Sequence, residues 1–189
     1  MRGRTRGSCV HFRGVQIGDG RGVEQVFEGY HAQDYSPAGD KGRYVLPPAI
    51  RNQVKLSSGG KVLCLRGHDR WKCLVGFGTS RKLDLKAQLE REEELAFKYG
   101  REFDREIRAS QIGVSTEVPF DDSGRFVLRD YLRELGNIQD GLFFQPAIEF
   151  FTIWNPEELY KMGDEWNAAK ATCRALVAEA EAKARGKKK

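Results

Sequence analysis

The hydrophobic and polar positions of the chain form a pattern that occurs twice. Residues 42–46 read Gly-Arg-Tyr-Val-Leu, and residues 124–128 read Gly-Arg-Phe-Val-Leu, at an offset of 82 residues. In each copy, three further residues lead to an aliphatic residue and a second arginine, Arg51 or Arg133. Aromatic and β-branched residues after a Gly-Arg turn favour a strand, and later apolar runs predict two more. Each copy is therefore predicted to contain a turn, a short strand, a short helix and two strands joined by a turn.

The start of the short helix is marked in both copies. Pro48 stands there in the first copy, and proline is tolerated in the first turn because its missing N–H has no helical partner at that point. Asp130 stands at the matching place in the second copy, where a negative charge suits the positive end of the helix. Both helices are predicted to be about eight residues long, so they need tertiary packing to persist.

Two further helices are predicted outside the repeats. Residues 83–108 indicate one amphipathic connecting helix, because apolar residues recur at helical spacing along one face. The apolar stripe consists of Leu85, Leu89, Ala96, Tyr99, Phe103 and Ile107. Asn155 is a good N-cap and Pro156 suits the first helical position, so a C-terminal helix is predicted over 155–182.

These patterns predict an α+β fold made mainly of β modules. The expected segments are a disordered basic arm at 1–25, a first module at 26–82, the connecting helix at 83–108, a second module at 109–154, the C-terminal helix at 155–182 and a basic tail at 183–189.

The composition is that of a soluble globular protein, with 40% hydrophobic and 31% charged residues among 189. No apolar run is long enough for a membrane helix, and no secretory signal is recognised, so a cytoplasmic protein is expected. The net charge of +5 is unevenly distributed. Residues 26–82 contain ten basic and four acidic residues, whereas residues 109–182 contain six basic and thirteen acidic residues. The first copy therefore suits phosphates, and the second suits the first copy of a neighbouring subunit.

Enzymatic and metal chemistry find little support in the sequence. The four cysteines lack C-x-x-C spacing, and no histidine stands in zinc-finger spacing to a cysteine pair. Neither a P-loop nor a nucleophile in a recognisable catalytic setting is present. We therefore expect no catalytic residues, no metal, no cofactor and no small-molecule substrate. Cys64 and Cys73 lie in apolar stretches and are expected to be buried thiols.

The repeat resembles the module of the MraZ family, which belongs to the AbrB-like, swapped-hairpin group. The segment DKGRYVLPPAIR at 40–51 is the most specific part of this resemblance. The family hallmark is two tandem Asp-x-x-x-Arg motifs, each at the turn before a strand. In the second copy, Asp121 and Arg125 match the motif. In the first copy, Gly39 stands where the aspartate would be.

Two readings of the first-copy departure remain open. Asp40 could replace the family's aspartate from one position later, or Asp34 could fold back to do so. The stretch at 35–38 also looks like a short insertion relative to the family.

The resemblance implies two swapped-hairpin units packed as a pseudo-dimer with added helices. It also implies a nucleoid-associated transcriptional regulator that represses its own division and cell-wall gene cluster. Such a protein would form a ring-like homo-oligomer and bind direct repeats of a short G-rich box in double-stranded DNA. Several weak contacts would then act together.

The resemblance implies that the first-copy turn contacts DNA. Arg43 could bind guanine O6 and N7 with two hydrogen bonds, or it could instead pair with an aspartate and stabilise the turn. For Arg125 the turn-stabilising role is favoured, because its module is acidic, and Arg51 is expected to support the fold or contact a phosphate. The candidate DNA-contacting residues are Lys41, Arg43, Arg51 and Arg125, and the turn-forming residues are Asp40, Gly42, Asp121 and Gly124.

An alternative function is that of an oligomeric interaction scaffold or antitoxin-like protein, in which the repeat serves assembly alone. This hypothesis depends on aromatic residues that could form an interface as well as a core, namely Trp71, Phe143, Phe144, Phe150 and Phe151. Their spacing alternates poorly, which also fits strands buried on both faces.

Overall fold

The computed structural model describes residues 26–186, apart from the side chain of Lys41. The basic arm expected at 1–25 and the last three residues of the expected tail, 187–189, lie outside the described residues. Within 26–186 the protein combines an antiparallel sheet with helices, so the predicted α+β class is confirmed.

The first repeat has the predicted order of elements after one strand, β1 (Asp34–Pro37), that the sequence did not predict. The other elements are β2 (Arg43–Val45), α1 (Pro48–Ser58), β3 (Val62–Gly67) and β4 (Leu74–Phe77). Pro48 occupies the first turn of α1, as the sequence predicts. Helix α1 ends at Gly59, which adopts the left-handed conformation at φ 59° that favours glycine.

The second repeat has the same five elements in the same order. Its elements are β5 (Thr116–Pro119), β6 (Arg125–Val127), α4 (Asp130–Leu135), β7 (Gly141–Pro146) and β8 (Phe151–Trp154). Strands β1 and β5 lie at the same offset of 82 residues as the repeat itself. Most of the stretch at 35–38 therefore belongs to a strand that has a counterpart in the second repeat, and the first repeat has no insertion there relative to the second.

The connecting segment contains two helices where the sequence predicts one. Helix α2 spans Leu85–Lys98 and helix α3 spans Arg105–Gly113. The break has two local causes. Gly100 adopts a positive φ of 62°, which ends a helix readily, and the Asp104 carboxylate caps α3 by accepting the Ile107 amide at 2.9 Å. Of the predicted apolar stripe, Leu89 and Ala96 are buried, whereas Tyr99 and Ile107 are exposed.

The two repeats are interleaved in one six-stranded antiparallel sheet, with the order β1-β7-β8-β4-β3-β5. Strand β1 of the first repeat pairs with β7 of the second, and β5 of the second pairs with β3 of the first. The central pair, β4 with β8, also joins the repeats. A pseudo-two-fold axis between β4 and β8 thus relates the strands of one repeat to those of the other, as expected for swapped units.

The core lies on both faces of this sheet. Strand β8 and the first four residues of β7 are buried on both sides, and Phe143, Phe144 and Phe151 are fully covered. The proposed use of these three aromatics at an interface is therefore wrong, because they form the core. Trp71 and Phe150 are half-buried beside it. Cys64 and Cys73 are buried thiols, as predicted.

The C-terminal region is divided into two helices, α5 (Pro156–Tyr160) and α6 (Asn167–Gly186), rather than the single helix predicted over 155–182. Asn155 caps α5 through its side chain, which accepts the Glu157 amide at 3.3 Å. A 3-10 turn at Asp164–Trp166 separates the helices. The expected basic tail is helical as far as residue 186, since α6 is rich in alanine and Arg185 pairs with Glu181 one turn earlier.

Candidate nucleic-acid interface

A two-stranded antiparallel ribbon, formed by β2 and β6, brings together the two Gly-Arg turns predicted from the sequence. Arg43 is opposite Val127, Tyr44 is opposite Phe126, and Val45 is opposite Arg125. The strands are separate from the six-stranded sheet. One strand comes from each repeat, so the ribbon exists only when both repeats are folded together.

The ribbon has one buried and one exposed face. Tyr44 and Phe126 form the buried face, with ring centroids 6.1 Å apart. The exposed face carries two arginines and two valines, Arg43, Val45, Arg125 and Val127. The two valines are 43% and 53% exposed, so the open face of the ribbon presents apolar side chains beside the arginines. Sequence reasoning missed the valines, although the period-2 alternation of strands could have placed them beside the arginines.

The first turn is a single 3-10 turn over Asp40–Gly42. The Gly39 amide donates to the Arg43 carbonyl at 2.8 Å, and the Arg43 amide donates to the Asp40 carbonyl. Gly42 has a positive φ of 68°, which explains the glycine at this position in the repeat. Lys41 lies within the turn, between Asp40 and Gly42.

The second turn is held by a carboxylate that the first turn lacks. The Arg125 amide donates to Asp121 Oδ1 at 2.8 Å, and the Arg125 guanidinium lies 3.7 Å from the other carboxylate oxygen. The Gly124 amide donates to the Asp121 carbonyl at 2.9 Å. Gly124 has a positive φ of 82°. Asp121 and Gly124, the turn-forming residues expected from the sequence, both lie in this turn.

Neither aspartate considered for the first copy replaces the missing one. The Asp34 carboxylate accepts the amide of its neighbour Tyr35 at 2.7 Å, within β1. The Asp40 carboxylate forms no ion pair with Arg43 among the described contacts, and Asp40 acts through its carbonyl instead. Arg43 is therefore exposed without a carboxylate partner in the described part of the chain, whereas Arg125 has one.

Arg51 lies beside the ribbon but points to the other repeat. Its Nη1 donates to the Asp122 carbonyl at 3.1 Å, in the second turn. Asp122 also forms an ion pair of 2.6 Å with Lys61 of the first repeat, and that pairing lowers the pKa of the Asp122 carboxylate. Sequence reasoning placed Arg51 among the candidate contacts without recognising this connection between repeats.

Other kinds of site are not indicated in the described region. Within residues 26–186 no group of three or more His, Cys, Asp or Glu side chains is arranged to hold a metal ion. None of the helices found there combines the length and apolarity needed to cross a bilayer.

Comparison with known proteins gives the family. No family model matches the chain. A transcriptional regulator MraZ of Parvibaculum lavamentivorans is 30% identical over 118 residues, which cover 61% of this chain and 69% of the relative. The chain belongs to the MraZ family. MraZ of Roseiflexus castenholzii is 29% identical over 117 residues, covering 62% of this chain and 74% of the relative, and a second Roseiflexus MraZ matches to the same extent.

Membership of the MraZ family agrees with the resemblance drawn from the repeat. The matched MraZ proteins are named transcriptional regulators. The exposed β2–β6 ribbon is the surface on which the residues of the two MraZ-like motifs meet.

Proposed function

We propose that this protein is a sequence-specific DNA-binding regulator that contacts the major groove through the exposed face of the β2–β6 ribbon. Arg43 is the principal base-reading residue, and Lys41 contacts guanine or a neighbouring phosphate. The observation that carries the proposal is the ribbon itself. A two-stranded ribbon fits the major groove, and this one presents arginines and apolar side chains together.

The asymmetry of the two turns supports Arg43 over Arg125. Arginine reads guanine by donating two hydrogen bonds to O6 and N7, and a carboxylate beside the guanidinium competes for its donors. Arg43 has none among the described residues, while Arg125 lies 3.7 Å from Asp121. The basic charge of residues 26–82 favours phosphates around the same turn.

The exposed valines add a second kind of base contact. Val45 is two residues from Arg43 on the same strand face, and Val127 is directly opposite Arg43. An apolar side chain at such a position can contact the methyl group of thymine. The ribbon would thus read a short box that includes guanine, with thymine beside it.

One ribbon covers only a few base pairs, so a single subunit should bind weakly. We propose a ring-like homo-oligomer that places several ribbons on direct repeats of a G-rich box upstream of the protein's own gene and represses that gene cluster. Opposite charges on the first and second repeats favour head-to-tail contacts between subunits. If the oligomer stays intact at high salt, this electrostatic pairing loses its support.

The test compares binding to duplex DNA from upstream of the gene with binding to a scrambled duplex of equal length and composition. The wild-type protein should prefer the upstream duplex, with a steep salt dependence. Arg43→Ala should remove this preference and leave the oligomer intact by analytical ultracentrifugation. Arg91→Ala is the matched control, since Arg91 is exposed on α2 and its loss changes the net charge equally.

The scaffold alternative predicts a different result. A protein that serves assembly alone would bind both duplexes equally, and Arg43→Ala would change neither affinity. Equal binding of the two duplexes by the wild type would therefore contradict the proposed function.

A further inference from the structure

The second arginine of each repeat, Arg51 or Arg133, is a part of the repeated pattern that the proposed DNA contact does not explain. It lies in the short helix rather than in the turn. Both arginines are only half-buried, yet the Nε atom of each is buried without a hydrogen-bond partner among the described residues. A buried donor left unpaired is costly, so the placement of these two side chains requires an explanation.

The Arg51 side chain packs across the repeat boundary onto the second turn. Its Nη1 donates to the Asp122 carbonyl at 3.1 Å. A Cβ added at Gly124 would lie 3.0 Å from Arg51 Cδ and 2.8 Å from the Leu46 carbonyl oxygen. Glycine therefore lets both the backbone and the arginine of the first repeat approach this turn closely.

Arg133 occupies the equivalent place against the first turn. A Cβ added at Gly42 would lie 4.0 Å from Arg133 Nη1 and 3.6 Å from the Leu128 carbonyl oxygen. The Arg133 guanidinium is also close to the Tyr44 hydroxyl: burial raises the pKa of Tyr44, and the positive charge of Arg133 partly opposes that shift.

Backbone hydrogen bonds follow the same crossed pattern. The Leu46 amide donates to the Gly124 carbonyl at 2.8 Å, and the Leu128 amide donates to the Gly42 carbonyl at 3.1 Å. Each turn is thus fixed at its glycine by the strand end of the other repeat, and an arginine from the helix that follows that strand lies against it.

We propose that Arg51 and Arg133 are positioning residues, each of which holds the Gly-Arg turn of the opposite repeat. Arg133 of the acidic repeat then sets the conformation of the turn that carries Arg43. The second repeat contributes to DNA reading in this way even where it makes no contact with DNA itself. We call each of these arginine–turn contacts a brace. The braces can be tested on the protein without DNA, and only their effect on DNA reading rests on the proposed function.

The two positioning arginines differ, because Arg51 donates a hydrogen bond to the opposite turn and Arg133 has none to its turn among the described contacts. In the second turn, the Arg125 amide donates to the Asp121 carboxylate, and Arg51 Nη1 donates to the Asp122 carbonyl. In the first turn, Gly39 has no carboxylate, and the Arg43 amide donates to the Asp40 carbonyl instead. The carbonyl that corresponds to Asp122 is that of Asp40, which accepts the Arg43 amide, and Arg133 lies beside Gly42 with no hydrogen bond to this turn among the described contacts.

The test without DNA is amide hydrogen exchange of the full-length protein. Arg133→Ala should speed exchange across residues 39–43 by about tenfold, equivalent to ~1.4 kcal/mol, and leave residues 121–125 as in the wild type. Arg51→Ala should show the reverse, so each variant is the control for the other. Exchange that speeds in the turn of the mutated repeat itself, or in neither turn, would overturn the proposal.

The test with DNA separates bracing from a phosphate contact. Arg133→Ala should weaken binding to the upstream duplex by about tenfold without changing the slope of log K against log salt. A lost phosphate contact would instead reduce that slope by about 0.9, and this result would overturn a positioning role. Arg133→Lys keeps the charge but not the planar guanidinium, so it should resemble the alanine variant.

The two proposals fail in different ways. If the wild-type protein binds the upstream and scrambled duplexes equally, the proposed function is wrong, and the exchange experiment still decides whether the braces exist. The wild type and Arg133→Ala could instead prefer the upstream duplex equally, with the same amide exchange over residues 39–43. In that case the proposed function stands and the braces are excluded.

Discussion

Arg43 and Arg125 occupy diagonal positions on one face of a single antiparallel ribbon, because Arg43 is opposite Val127 and Arg125 is opposite Val45. Diagonal neighbours of this kind are about 7–8 Å apart, close to two steps along a DNA duplex at roughly 3.4 Å each. The arginines of the two motif copies thus lie on the same face of the ribbon, but only Arg125 has a carboxylate partner among the described residues.

Removal of Arg125 should affect DNA binding less than removal of Arg43. A well-formed arginine–guanine contact accounts for roughly 1–3 kcal/mol of discrimination, and Arg43→Ala should lose an amount in that range. Arg125→Ala should lose less, because its guanidinium is already near Asp121. Fluorescence anisotropy with the upstream duplex measures both variants, and a larger loss for Arg125→Ala would reverse the assignment.

Asp121→Ala provides a complementary test of the same relationship. Without the carboxylate, Arg125 has no acidic partner in its turn, but the Arg125 amide also loses its acceptor. We expect a less ordered second turn, seen as faster amide exchange over residues 121–125. Unchanged exchange in that segment would show that the hydrogen bond to Asp121 does not hold the turn.

Gly39→Asp should make the first turn resemble the second. The backbone of Gly39 is extended at φ −94°, so an L-residue is allowed there. A Cβ would lie 3.0 Å from the Arg43 carbonyl oxygen, which requires a shift of a few tenths of an ångström. The new carboxylate could then accept the Arg43 amide, as Asp121 accepts that of Arg125. Exchange of the Arg43 amide should slow, and Gly39→Ala, which lacks the acceptor, should not reproduce the effect.

Tyr30 and Tyr44 form a matched pair for a stability test. The Tyr30 hydroxyl is bonded to Ser57 Oγ and to the Gly78 amide, both at 2.7 Å. The Tyr44 hydroxyl is buried near the Arg133 guanidinium but makes no hydrogen bond of normal geometry among the described residues. Tyr30→Phe should therefore lower the free energy of unfolding by about 1–3 kcal/mol. Tyr44→Phe should not lower it, because the variant loses only a buried hydroxyl that makes no hydrogen bond. Chemical denaturation measures both, and equal losses would contradict the difference in bonding.

Arg108 should stabilise the protein more at neutral than at acidic pH. It forms ion pairs with Glu92 at 2.5 Å and Asp69 at 2.7 Å, linking α3 to α2 and to the β3–β4 turn. Hydrogen bonding to Arg108 lowers the pKa of Glu92. Burial opposes ionisation of Asp69, but Arg108 and Arg66 outweigh it and lower the pKa of Asp69 as well.

The sign of the pH effect follows from these directions. A carboxylate whose pKa is lower in the folded than in the unfolded state adds stability above the unfolded pKa, near 4, and loses it as the pH falls through the folded value. Arg108→Met should therefore cost about 2 kcal/mol at pH 7 and less at pH 3. Denaturation of Arg91→Met at both pH values controls for the loss of charge, and an equal cost for Arg108→Met at the two pH values would contradict the ion-pair explanation.

The elements within each repeat were predictable because their signals are local. A glycine with positive φ, a Gly-Arg turn, Pro48 and short apolar runs lie close together in the sequence and fix the order of strand and helix. The break at Gly100 was not predicted, since the apolar stripe of the connecting segment continues across it. Its effect depends on the capping of α3 by Asp104, which operates over three residues and competes with helix continuation.

The candidate site was only partly predictable for a different reason. The sequence identified Arg43 and Arg125 as equivalent positions, but pairing between distant strands decides that they share a face. The absence of an aspartate at position 39 was visible, yet its consequence was not. That consequence depends on which carbonyl then accepts the Arg43 amide, a choice that only three-dimensional contacts reveal.

The interleaving of the repeats determines when the protein can fold during its synthesis. Strand β1 must wait for β7, whose residues Gly141–Pro146 are made more than a hundred residues later. Until then the nascent first repeat carries apolar strands without partners, a state exposed to aggregation and slowed by long-range pairing. A polypeptide that stops before residue 141 therefore ends without the partner for its own first strand, so incomplete chains should be recognised by chaperones and proteases rather than accumulate as half-active fragments.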